Sequence, residues 1–186
     1  MTRQLEHGTT SQGQTERLSR DRLTAGVSVG GPLERAIADF AAAAVRAQAV
    51  DPLISELVRL RCAQIHDCRL CGSLRVREAL DAGLDEAMQR RIASYETGGF
   101  SPAAVAALKL CDAIIMRPAW ADAGLKNELR QHFSEEQIAE LCVDVVKWSQ
   151  QKALVALRLE APLADTPTLL TFDESGAPVF GGPVSQ

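Results

Sequence analysis

From Pro32 to about Leu159 the apolar residues of this chain recur three and four positions apart, and helix start and stop signals bound the segments they define. That pattern fits a bundle of helices. Leu33, Ile37, Phe40, Ala44 and Val45 mark the first. Asp51-Pro52 sets a capping side chain before a proline at the first helical position, opening a second helix that runs to about Ile65. A third is expected from Cys68 to Ala82, with Asp67 as its N-cap and Gly83 as its stop. A short fourth covers about Asp85 to Ser94, and a loop containing Gly98-Gly99 follows. Ser101-Pro102 opens a fifth that ends before Pro118, and a sixth spans about Ala121 to His132. The last is the best marked. Ser134 and Gln137 fit a capping box, Phe133 and Ile138 a hydrophobic staple, and Ile138, Leu141, Cys142, Val145 and Ala153 an apolar stripe. The expected fold class is all-α, a compact bundle of about seven helices.

The flanks differ in composition. Residues 1–31, rich in Gly, Ser, Thr, Gln and Arg, read as a flexible N-terminal arm. Residues 32–161 form the helical domain, and 162–186 a C-terminal tail rich in Pro, Gly, Thr and Ser. Within that tail, 168–172 and 178–180 either pair as a small hairpin around Asp173–Gly176 or lie loose. A net charge of −4 without a basic patch argues against a nucleic-acid or anionic-membrane partner, and 4% aromatic residues argue against base or sugar stacking. Met1 to Thr10 contains no apolar signal region, and no stretch is long and apolar enough to span a membrane. A reducing cytoplasm is the expected compartment, where a disulfide that cycles is more at home than a permanent one.

Cys68 and Cys71 form a Cys-x-x-Cys pair, which can close a disulfide and reopen it. With a helix starting at the pair, its unpaired amides and positive dipole end would stabilise a thiolate. Cys111 and Cys142 fall in apolar helical patterns and read as small core residues. Glu56 lies 12 residues before Cys68 on the preceding helix, in a stripe with Ala63 and His66, and Arg59 stands between them. A carboxylate there can accept a thiol proton, or it can pair structurally with Arg59 or Arg75. His66, two residues before the pair, is placed for a proton shuttle or for an exposed helix end. Cys62, His66, Cys68 and Cys71 are four zinc-ligand types within ten residues, but a cage inside one helix–turn–helix is sterically awkward, so no metal is expected.

The segment ELVRLRCAQIHDCRLCGSLRVREALDAG, Glu56 to Gly83, resembles the carboxymuconolactone decarboxylase superfamily, specifically its alkylhydroperoxidase D-like branch. Glu56, Cys68 and Cys71 match that branch's core in type and spacing, and FSEEQIAELCVDVVKW is similar to its C-terminal core helix. The resemblance covers about residues 33–162. It implies a helical bundle that assembles into homo-oligomers, trimers or hexamers. It further implies thiol–disulfide oxidoreduction, with a peroxide or disulfide as substrate and a dithiol or redox protein as reductant. By the same resemblance Cys71 attacks, Cys68 resolves, Glu56 accepts the proton, and no bound cofactor is required. One position departs. Arg75 stands where the family has a histidine of its proton relay. Arginine has no acceptor nitrogen and stays charged, so it cannot relay a proton, although it can lower a thiol pKa or hold a ligand carboxylate. A cavity-binding protein anchored by Arg75 is the alternative reading. Lactone decarboxylation is further off, because its histidine is absent from this position.

Overall fold

The computed structural model describes residues 31–150 and 165–184. The N-terminal arm and the continuation of the last helix toward Leu159 lie outside the described residues. Among these, eight α-helices and three short strands occur in the order α1 (Gly31–Val45), α2 (Pro52–His66), α3 (Arg69–Gly72), β1 (Leu74–Val76), α4 (Arg77–Asp81), α5 (Glu86–Arg91), α6 (Pro102–Met116), α7 (Ala123–His132), α8 (Glu135–Ser149), β2 (Thr168–Phe172) and β3 (Pro178–Pro183). Single 3-10 turns follow α5, at Ile92–Ser94, and α6, at Pro118–Trp120.

Five of the helix starts lie where the sequence places them, within a residue or so. Asp51, Asp85, Ser101, Asp122 and Ser134 each cap a helix with the side-chain oxygen. At Ser134 the reciprocal bond from its own backbone N–H to Gln137 completes the capping box. Helix α2 is the spine, packed against α6 on one side and α8 on another. Val58 and Cys62 point into a core shared with Leu110, Cys111, Leu129, Leu141 and Val145. Leu57 and Leu60 point into a second core with Ala79, Leu84, Ile92 and Leu108. The remaining stripe of α2, Glu56, Arg59 and Ala63, is buried too and faces the thiol segment. Helix α8 is clamped to the start of α2 through buried Glu140, whose carboxylate accepts the N–H groups of Ala49 and Val50 at 2.7 and 3.2 Å. Ser55 donates to Asp144 across the same interface at 3.2 Å.

One expectation needs correction. The third helix, expected unbroken from Cys68 to Ala82, is interrupted. Helix α3 ends at Gly72, Leu74–Val76 is extended, and α4 is a new, separate helix. The backbone groups that a helix would have paired internally find other partners. Arg59 donates to the carbonyl of Leu74 at 2.7 Å, and Glu56 accepts the N–H of Val76 at 3.2 Å. Thr168 donates to the carbonyl of Ser73 at 2.7 Å. The body is mostly helical, as expected, with a small three-stranded sheet beside it. Of the two readings of residues 168–180, the hairpin is the one observed, with β2 antiparallel to β3. The hairpin docks on the domain because β2 runs parallel to β1, with Leu74, Arg75 and Val76 opposite Thr168, Leu169 and Leu170. The exposed outer strand β3 carries Pro178 and Pro183, which blunt a free sheet edge.

Candidate functional site: the Cys68–Cys71 pair

Helix α2 ends in a left-handed turn. Asp67 sits at φ 53°, its N–H donating to the carbonyl of Gln64, while that of Cys68 donates to Ala63 at 2.9 Å. This is the pattern that closes helices with glycine or asparagine. Asp67 therefore stops α2 rather than capping the next helix as expected. The cap of α3 is Cys68 itself, whose Sγ accepts the N–H of Cys71 at 3.2 Å.

Cys68 and Cys71 are joined by a disulfide, with Cα atoms 5.3 Å apart. Cys68 is buried and Cys71 half-buried. A cavity of about 140 Å³ reaches Cys68, walled by Leu60, Ala63, Gln64, Asp67, Arg69, Gly72 and Gln89.

Glu56 and Arg59 form a two-bond ion pair, Nε to Oε2 at 2.6 Å and Nη2 to Oε1 at 2.7 Å, both side chains buried. Arg59 also donates through Nη1 to the carbonyl of Cys71 at 2.7 Å. The carboxylate thus connects to the thiol loop through Arg59. With Val76 N–H also on Oε1, one acceptor position on Oε2 has no partner among the described residues.

Arg75 lies on strand β1, not on a helix with the cysteines, and is 2% exposed. Its Nη1 donates to the carbonyls of Gly72 and Leu74, its Nε and Nη2 to the carboxylate of Glu86, and Nη2 also to Gln89. All five donors are engaged, so in this arrangement Arg75 splints the thiol loop to α5 and has none left for a ligand carboxylate. His66 is half-buried at the end of α2, and its Nε2 meets the hydroxyl of Ser149 at 2.9 Å. Cys62 faces away, its sulfur 3.6 Å from that of Cys111 in the core. The contact with Cys62, and then burial, push the Cys111 thiol up. The four zinc-ligand types are thus dispersed, and no group of three metal-ligating side chains occurs among the described residues.

The end of α8 forms a wall that the sequence did not single out. Trp148 lies under the Arg59 guanidinium at 5.8 Å from its ring centroid, and the Lys147 ammonium sits 3.4 Å from the same ring. The one sign in the sequence is the cluster Lys147-Trp148-Ser149 on a helix otherwise striped with apolar residues. A second cleft of about 720 Å³ shares no residue with the thiol cavity. It is lined by Tyr95, Lys109, Trp120 and an Arg61–Asp112 ion pair, among others.

The helical body has a fold of the alkylhydroperoxidase D-like type, as the sequence resemblance implied. Among solved structures, a protein of unknown function from Agrobacterium tumefaciens, provisionally named the antioxidant defence protein AhpD, has this fold. The two agree with a TM-score of 0.61 at 20% identity over 72% of this chain and 92% of that one. Two uncharacterized proteins, from two strains of Mycobacterium tuberculosis, are each 40% identical over 124 residues, which is 66% of this chain. The chain spans 44% of the length of these relatives. No family model matches the sequence.

Proposed function

We propose that the protein is a thiol–disulfide oxidoreductase that reduces a small peroxide through Cys68 and Cys71. The observation that carries this reading is the Cys68–Cys71 disulfide, placed beside a cavity and tied through Arg59 to a buried carboxylate. In the reduced protein the thiolate of Cys71, the less buried residue of the pair, attacks the peroxide, giving Cys71 sulfenic acid and releasing an alcohol or water. The thiolate of Cys68 then attacks the sulfenic sulfur, water leaves, and the disulfide forms. A dithiol, small or protein-borne, restores the pair by exchange. Glu56 takes up the thiol proton at its unpartnered Oε2 position. Arg75 contributes positive charge and holds the loop, while His66 stays outside the proton path.

Assembly into a homo-oligomer belongs to the same reading. Leu33 and Ile37 on α1 and Val143 and Val146 on α8 expose 59, 40, 40 and 53% of their surfaces, an apolar area suited to a second copy.

The test is alkylation of the reduced protein across pH, read by mass at each cysteine, followed by peroxide treatment. One thiol reacting with a midpoint well below about 8.5, and a re-formed Cys68–Cys71 disulfide, are expected. Two sluggish thiols that peroxide leaves unlinked defeat the proposal. In Cys68→Ser a sulfenic acid should accumulate at Cys71; finding it instead at Cys68 of Cys71→Ser reverses the order of attack.

A further inference from the structure

Lys147 is 4% exposed, and its Nζ has no hydrogen-bond partner among the described residues. Buried amines are ordinarily paired, because an unpaired charge in a protein interior is costly. Two aromatic faces surround this one, Trp148 at 3.4 Å and Phe172 of β2 at 5.2 Å from the ring centroids. The facing charged groups are Asp144, one turn earlier on α8, and Glu56 and Arg59 on α2. Burial brings the amine down to about 7, and Arg59 adds to this, while Asp144 and Glu56 oppose it.

The placement links Lys147 to the thiols by continuous contact. Its ammonium and the Arg59 guanidinium both pack on the Trp148 ring. Arg59 in turn binds Glu56 with two hydrogen bonds and the carbonyl of Cys71 with a third. A change of charge at Lys147 therefore alters the field on Glu56, a carboxylate tied to the thiol loop through Arg59, and a new charge on the thiols alters the field on Lys147. We propose that Lys147 is a positioning residue of the thiol site, its charge acting on Glu56 and Cys71 through Trp148 and Arg59. This inference rests on the thiol reading above and adds a residue to it. It also supplies a titrating group to a site whose Arg75 cannot release a proton.

The test uses the full chain. Trp120 stands in the other cleft, so Trp120→Phe leaves Trp148 as the single tryptophan. Its fluorescence is followed against pH in the oxidised protein and again after reduction with dithiothreitol. A titration near pH 7 is expected, absent in both Lys147→Met and Lys147→Arg. On reduction its midpoint should rise by about half a unit or more, because a thiolate's negative charge favours the ammonium form. Cys68→Ser/Cys71→Ser should show no response to dithiothreitol. In parallel, the alkylation midpoint of the reactive thiol should move up in Lys147→Met and stay level or fall in Lys147→Arg, which is charged at every pH tested.

A midpoint unchanged by reduction, or an alkylation profile unchanged in Lys147→Met, overturns the inference. Failure of the oxidoreductase reading looks different, since it appears as a reduced pair that peroxide does not relink. An unlinked pair that still alkylates with a midpoint below about 8.5 leaves the comparison of oxidised and reduced midpoints decisive for Lys147, whereas two sluggish thiols overturn both readings.

Discussion

Arg59 holds more of the site together than either cysteine. It is 2% exposed and binds both oxygens of Glu56 and two backbone carbonyls of the thiol loop. Arg59→Met leaves Glu56 a buried charge without its counter-ion, at a cost of about 3–5 kcal/mol. Urea denaturation should show that loss, and adding Glu56→Leu should recover most of it, since removing both charges together is often close to neutral. A single variant as stable as wild type would show that the pair is solvated rather than buried. That Glu56 would lie beside the thiol segment was legible in the sequence because the spacing is local. The engagement of Arg75, Lys147 and Trp148 was not. Those contacts depend on how α2, α5 and α8 pack, and α8 lies some 90 residues from its partners in α2.

Among the elements, helix starts were read well because a cap is a chemical fact about three or four neighbouring residues. The broken third helix was missed because its break is decided from outside. Glu56, Arg59 and Thr168 supply the partners that keep Leu74–Val76 extended, and no window around Cys68 contains them. Asp67 was assigned to the wrong end of a turn for a similar reason, since aspartate serves both as a cap and in the left-handed region. Two substitutions check these turns by thermal melting. Asp67→Gly should be tolerated and Asp67→Val should cost about 1–3 kcal/mol, because a β-branched residue is strained at positive φ. Gly176, at φ +84°, turns the β2–β3 hairpin, and a Cβ there would lie 2.5 Å from the carbonyl oxygen of Ala42. Gly176→Ala should therefore loosen the hairpin from α1 and lower the melting temperature, with an unchanged melting curve as the contrary result.

For the whole molecule, the Asp144–Lys147 turn makes stability depend on pH in two windows. Asp144 is pushed up to about 6, mainly by burial and further by Glu140, against the pull of Lys147 and Ser55. Between about 4 and 6 the folded protein therefore binds a proton that the unfolded chain has lost, and stability falls as pH rises. Lys147 is shifted the other way. Above about 7 the unfolded chain keeps a proton that the folded protein has released, so stability climbs. Denaturant midpoints measured from pH 7 to about 8.5 should rise in wild type and stay level in Lys147→Met. Toward the top of that range the Cys111 and Cys142 thiols, both raised in the fold, begin to oppose the trend in both proteins, so the difference between wild type and Lys147→Met is the readout. A level wild-type profile would place the Lys147 ammonium in contact with water.

Strand β1 follows the thiols by two residues, yet its parallel partner β2 comes only at Thr168. A ribosome making this chain must therefore add roughly another ninety residues after Val76 before the segment carrying the cysteines can be sealed on that side. Through that interval the nascent protein offers an unpaired strand edge beside two thiols, an edge that β2 covers once it has been made.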